Sequence, residues 1–158
     1  MAHHDIGKGV WHDPVNTGYI GLDLTARIPA QAMQTVGGIA LLPKVEYHCS
    51  LVDVRHHIEG QGGEQYIADA VKNFLRTHDL RYMGLGDERY LCRKQDRVTI
   101  VAPVQIEGID QFAAFIQTLI PEYRTPFLHV TLLKSEMTEY GISLNSVDDL
   151  HSYCEKLT

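Results

Sequence analysis

Two short stretches place an imidazole and a hydroxyl two residues apart inside apolar runs. "VEYHCSLVDV", residues 45–54, carries His48 and Ser50; "TPFLHVTLL", residues 125–133, carries His129 and Thr131. In a β-strand, residues i and i+2 point to one face and i+1 to the other. His48 and Ser50 are therefore expected on one face with Cys49 behind, and His129 and Thr131 on one face with Val130 behind. Polar side chains in such runs cost free energy unless they are hydrogen-bonded or used. The chemistry that fits is phosphoester cleavage. One imidazole takes a proton from an attacking hydroxyl or water and the other gives one to the leaving oxygen, a task suited to an unperturbed pKa of about 6.5. The Ser50 and Thr131 hydroxyls can donate to non-bridging phosphate oxygens, where charge grows in the transition state.

A single His-x-Ser/Thr carries little weight in a chain with nine histidines. Two copies, each in a β-like apolar run and each followed by Leu, carry much more. The other seven histidines read as solvated or capping residues. His3, His4 and His12 lie in a polar start, His56 and His57 end an apolar run, and His151 sits in a C-terminal helical pattern. His78 closes a helical segment, where a cation suits the dipole. No His-x-x-x-His, His-Glu-x-x-His or cysteine cluster points to a metal, and His56 and His57, adjacent on a strand, would point opposite ways. "DIGKGV" and "GQGGEQ" do not continue into the Gly-Lys-Ser/Thr of a phosphate loop. No metal and no cofactor is expected.

At 158 residues, 44% hydrophobic and 22% charged, the chain reads as a single globular domain, 1–158, with 1–17 as a flexible start. No apolar run approaches the roughly 20 residues of a membrane span, and "MAHHDIGKGVWHD" lacks the apolar region of a secretory signal, so a cytoplasmic protein with no membrane partner is expected. Three widely spaced cysteines, Cys49, Cys92 and Cys154, read as reduced, unpaired thiols. A formal charge of −6 argues against large nucleic acids, whose backbones are held by clustered Lys and Arg.

The elements that must position the motifs follow from periodicity and turn residues. "GYIGLDLTA" reads as a strand, "AQAMQTV" as a short helix stopped by Gly37–Gly38, and residues 45–56 as the first motif strand. "GEQYIADAVKNFLRTHD" is an amphipathic helix. "LRYMGL", "YLCRK" and "RVTIVAPVQI", joined by "GDER" and "QD", predict an antiparallel meander. "IDQFAAFIQTLI" is a second amphipathic helix, "PFLHVTLLKS" the second motif strand, and "SVDDLHSYCEKL" a last helix with Ser146 as N-cap and Asp149 in a capping-box arrangement. Each half thus reads strand, helix, motif strand. That pattern predicts an internal duplication, with two similar lobes across a cleft that would hold the histidines on opposite sides of a phosphorus.

"YHCSL" and "LHVTL" resemble the twin His-x-Thr/Ser-hydrophobic signatures of the 2H phosphoesterase superfamily, the LigT-like or 2′-5′ RNA ligase-like proteins. "PFLHVTL" is particularly similar to the second signature, and "GYIGLDLTARIPA" to the opening strand and helix. The resemblance spans roughly residues 18–134. It implies a bilobal, pseudo-twofold α+β fold, with two antiparallel sheets around a central cleft and helices outside. It implies His48 and His129 as the acid/base pair, Ser50 and Thr131 as phosphate-holding residues, and no metal. Ser50 stands where Thr is commoner, with the hydroxyl kept.

The activity expected is a metal-independent phosphodiesterase acting on a cyclic or 2′-5′/3′-5′ linked nucleotide or short oligonucleotide, such as a nucleotide immune signal. Processing of 2′,3′-cyclic phosphates or RNA ends is the alternative, and a non-catalytic binder that sequesters a nucleotide is the alternative of another class. Trp11, Tyr19 and Tyr82, with Tyr90 and Tyr140, are candidates for stacking on a base. Lys134 and Arg124 flank the second motif strand as possible positive charge.

Overall fold

The computed structural model describes residues 4–12, 18–54, 63–136, 138 and 141–157. His3, His56, His57 and Tyr140 lie outside the described residues. The elements run β1 (His4–Gly7), β2 (Val10–His12), β3 (Tyr19–Asp23), β4 (Gln34–Val36), β5 (Ile39–Pro43), β6 (His48–Asp53), α1 (Gly63–Phe74) and β7 (Arg81–Leu85). They continue with β8 (Arg89–Lys94), β9 (Arg97–Glu107), α2 (Ile109–Leu119), β10 (His129–Lys134), α3 (Val147–Tyr153) and β11 (Cys154–Leu157). The architecture is α+β with two antiparallel sheets, as expected. One sheet has the order β1-β2-β3-β6; the other has the order β11-β8-β9-β10-β5-β4, with β7 also pairing β9.

The chain forms two compact units, each assembled from three segments. The first collects Met1–Asp23, Ser50–Gly84 and Gln105–Thr125. Here the opening segment is a strand pair: β1 and β2 form a hairpin and β2 pairs with β3. Trp11 lies opposite Gly21 in that ladder and is only 5% exposed, its ring edge-on to Tyr19 at 5.3 Å. α1 buries the stripe Ile67, Ala68, Val71 and Phe74 that its periodicity predicts. Phe74 stacks on Phe115 of α2 at 4.7 Å and meets Phe112 edge-on at 6.0 Å, so aromatic contacts join the two helices. His78, just past α1, stacks on Phe74 at 4.2 Å with Nδ1 3.2 Å from the Phe74 carbonyl.

The second unit collects Leu24–Cys49, Leu85–Val104 and Pro126–Thr158. Its centre is the ladder β8-β9-β10-β5, whose buried residues include Leu41, Leu91, Ile100, Ala102, Val130 and Leu133. A second cluster gathers Cys92, Val101, Ile142, Leu144 and Leu150, with Tyr90, Phe127 and Tyr153 packed against it. Ser146 caps α3 as predicted, its Oγ accepting from the Asp149 backbone N–H at 3.1 Å. Asp149 Oδ2 in turn accepts from the Asn145 N–H at 2.9 Å.

Five expectations are corrected. "AQAMQTV" is not a helix: residues 34–36 form β4, which pairs with β5 with Val36 opposite Ile39. Gly37 and Gly38, at φ 57° and 81°, form the two-residue turn between them. Positive φ at both positions matches the right-handed twist of a hairpin, while seven residues make too short a helix to stand without packing. β7 joins β9 and not β8, so the three strands are not a simple meander. The last helix ends at Tyr153, and Cys154–Leu157 become a strand paired with β8. Cys92 and Cys154 face each other directly in that ladder and form a disulfide across 62 residues of chain, where reduced thiols were expected. Sequence spacing cannot show that two cysteines are cross-strand neighbours. With no helix between β3 and β6, and with each unit interleaving segments from both halves of the chain, the strand-helix-strand duplication is absent from the first half and the sequence halves are not the compact units.

Candidate functional site

His129 opens β10, and the ladder with β9 fixes where its face points. His129 pairs with Pro103, Val130 with Ala102 and Thr131 with Val101; the register then shifts so that Leu133 pairs with Ile100 and Lys134 with Thr99. Leu132 is the extra residue of a β-bulge. Directly paired residues project to the same side of a sheet, so His129, Thr131 and Lys134 share the side of Pro103, Val101 and Thr99. In an unbroken strand Lys134 would lie on the opposite face from His129. The bulge re-aims it.

On the next strand, β5, Lys134 pairs with Leu42 and Leu133 with Pro43. Lys44 follows Leu42 by two, directly after the end of β5. It is half-buried, and it acts electrostatically on both neighbours. Burial, and then the Lys134 ammonium, hold the Lys44 pKa below its ordinary value, with Glu46 opposing. Lys134 Nζ donates to the Thr138 carbonyl at 3.1 Å. The backbone at Gly141 passes near Thr131, where an added Cβ would lie 3.6 Å from Oγ1.

The half-buried His129 ring is held from two sides. Its Nδ1 lies 2.8 Å from the Phe127 carbonyl oxygen, and the two rings lie nearly parallel at 5.9 Å. A carbonyl only accepts, so Nδ1 carries the hydrogen and Nε2 of the neutral ring keeps its lone pair. Loss of hydration lowers the His129 pKa; the Phe127 carbonyl opposes this and the Lys44 charge adds to it. The net effect favours the neutral imidazole.

His48 opens β6, and the run into it is pinned. The Tyr47 N–H donates to Thr25 Oγ1 at 3.1 Å, and the Leu24 N–H to the Tyr47 carbonyl at 2.9 Å. Cys49 is buried, and its thiol is within hydrogen-bonding reach of the His129 backbone amide. Burial pushes that thiol up to about 12, which makes it inert as a nucleophile. The beginnings of the two motif strands are therefore neighbours through Cys49. His48 is half-buried and Ser50 exposed, as alternation about a buried Cys49 requires.

His48, His129 and Thr131 belong to the second unit, with Lys44 and Lys134; Ser50, next on β6, is grouped with the first. Trp11, Tyr19 and Tyr82 also belong to the first unit. Trp11, a candidate for base stacking, is buried, its ring edge-on to Tyr19. Tyr19 and Tyr82 are half-buried. Tyr90 packs edge-on to Phe127 at 6.1 Å and belongs to the cluster around Cys92. Arg124 lies in the first unit and donates to the Tyr123 carbonyl at 2.9 Å. Sequence reading missed Lys44 and the Phe127 carbonyl. The first becomes relevant only through the β5–β10 register, and the second is a backbone atom that composition does not reveal.

Among the described residues, no three His, Cys, Asp or Glu side chains converge into a metal-binding group. Comparison with protein-family models, with curated proteins and with solved structures finds no match to this chain.

Proposed function

We propose that the protein is a phosphodiesterase that cleaves a cyclic or 2′-5′/3′-5′ linked nucleotide by acid–base catalysis, in the manner of the 2H phosphoesterases its motifs resemble. The observation that carries this reading is the setting of His129: its Nδ1 faces the Phe127 carbonyl and it shares a face with Thr131, while lost hydration holds its pKa below the ordinary value. An imidazole so held is a proton acceptor at Nε2. In this reading His129 removes the proton of an attacking water or ribose hydroxyl, and His48 protonates the leaving oxygen. The P–O bond to the leaving group breaks as the new one forms, and the two imidazoles have exchanged roles for the return proton transfers. Thr131 and Ser50 donate to the non-bridging oxygens. Tyr19 and Tyr82 remain candidates for contact with a base. The chain's net charge of −6 favours a small nucleotide over a long nucleic acid.

The test is incubation in EDTA with 2′,3′-cyclic nucleotides, 2′-5′ oligoadenylate and cyclic di- and trinucleotides, read by mass-resolved chromatography. Cleavage of one class is expected. His48→Ala and His129→Ala should each abolish it while ligand affinity changes by less than about tenfold, because they remove transition-state and not ground-state interactions. Normal turnover by either variant refutes the assignment. Tight binding without cleavage by the wild type replaces it with nucleotide sequestration.

A further inference from the structure

We infer that Lys44 and Lys134 form an anion-binding pair that seats a phosphate group of the ligand against His129 and Thr131. The inference rests on the proposed phosphate chemistry of that face and adds residues that the twin motifs do not contain. Three observations carry it. First, a bulge at Leu132 places Lys134 on the face of His129 and Thr131, and bulges are the usual device for re-aiming one side chain at a site. Second, Lys44 directly follows β5, two residues beyond Leu42, which pairs with Lys134. Third, the Lys134 charge acts on Lys44 and the Lys44 charge acts on the His129 ring, all three at half-buried positions.

Two like charges brought together out of water repel, and a fold that serves stability alone has no reason to gather them. Glu46 offsets Lys44 in part and is itself exposed. Lys134 spends one donor on the Thr138 carbonyl, which orients it and leaves two N–H groups. A phosphate oxygen accepts from such donors with charge assistance. The chain as a whole has 14 basic against 20 acidic side chains, so two half-buried lysines joined by register are a local departure from its net charge. The chemistry selects a compact phosphate group and not a long polyanion.

The probe is inorganic phosphate, titrated at constant ionic strength and pH 7.5 while the His129 imidazole is followed by nitrogen-resolved NMR. Saturable shifts at His129 are expected in the wild type. Lys44→Gln and Lys134→Gln should each weaken phosphate by about tenfold, the loss of one charge-assisted contact. Lys44→Arg should retain most of the affinity, and Lys156→Gln, on β11, all of it. Absence of a saturable shift, or the same affinity in all four variants, overturns the inference. If Lys44→Gln fails to fold, Lys134→Gln decides the matter alone. The two proposals fail separately. Phosphate binding lost in the lysine variants, in a protein that cleaves nothing, removes the enzyme and keeps the anion site. Nucleotide cleavage with lysine-independent phosphate affinity does the reverse.

Discussion

In the proposed reading His129 is the base, because its ring is oriented by the Phe127 carbonyl and shares a face of the sheet with Thr131. If it is the base, kcat/KM must fall as pH drops through the His129 pKa, since the protonated ring accepts nothing. That pKa is held below the ordinary value of about 6.5, chiefly by lost hydration. The acid limb of the pH–rate profile should therefore have its midpoint below that value, and a midpoint at or above it would remove His129 from the role. The sign for stability is the same. The unfolded chain binds a proton near pH 6.5 that the native ring resists, so this contribution is complete above that pH and is lost as pH falls towards the native value. The residue types were legible in the sequence, and so was the alternation that buries Cys49. The tautomer was not, because it depends on a backbone carbonyl brought into range by the turn of the chain at Phe127.

The long helices are more legible in the sequence than the short strands, for one reason. α1 and α2 were visible because each buries one face of a long 3.6-residue period against aromatic neighbours. β4 and β11 were misread as helix because short segments take their conformation from the strand they pair with. One turn on which α2 depends is open to direct test. Gly108, its N-cap, sits at φ 91°, and a Cβ there would lie 2.3 Å from the Asp79 carbonyl oxygen. Gly108→Ala should destabilise the protein by about 1–3 kcal/mol, through both the left-handed backbone and the collision. Chemical denaturation reads it; an unchanged midpoint would mean that the loop at Asp79 yields freely. The bulge in β10 is the opposite case. No residue in "LHVTLLK" announces it, yet it determines which face Lys134 joins.

Two compact units interleave along the chain, so its elements are fixed by contacts between distant segments. The Cys92–Cys154 disulfide ties β11 to β8 at the chain's last strand. Closing 62 residues of chain restricts the unfolded ensemble, and its reduction should lower the unfolding free energy by about 2–4 kcal/mol. Denaturant midpoints with and without reductant measure this, and identical midpoints would show that the bond contributes nothing. A bond of this kind persists in oxidising compartments and is reduced in the cytosol, which sets it against the cytoplasmic setting expected from the sequence. None of the described helices is long and apolar enough to cross a membrane.

The motif strands, with the alternation that buries Cys49 and Val130, and the amphipathic helices were present in the order of residues, because strand alternation and helical periodicity are local rules. The cross-strand cysteine pair, the bulge that turns Lys134 towards His129 and the burial of Trp11 were not. Each depends on which strand lies beside which and in what register, and that is decided by the packing of segments far apart in the chain.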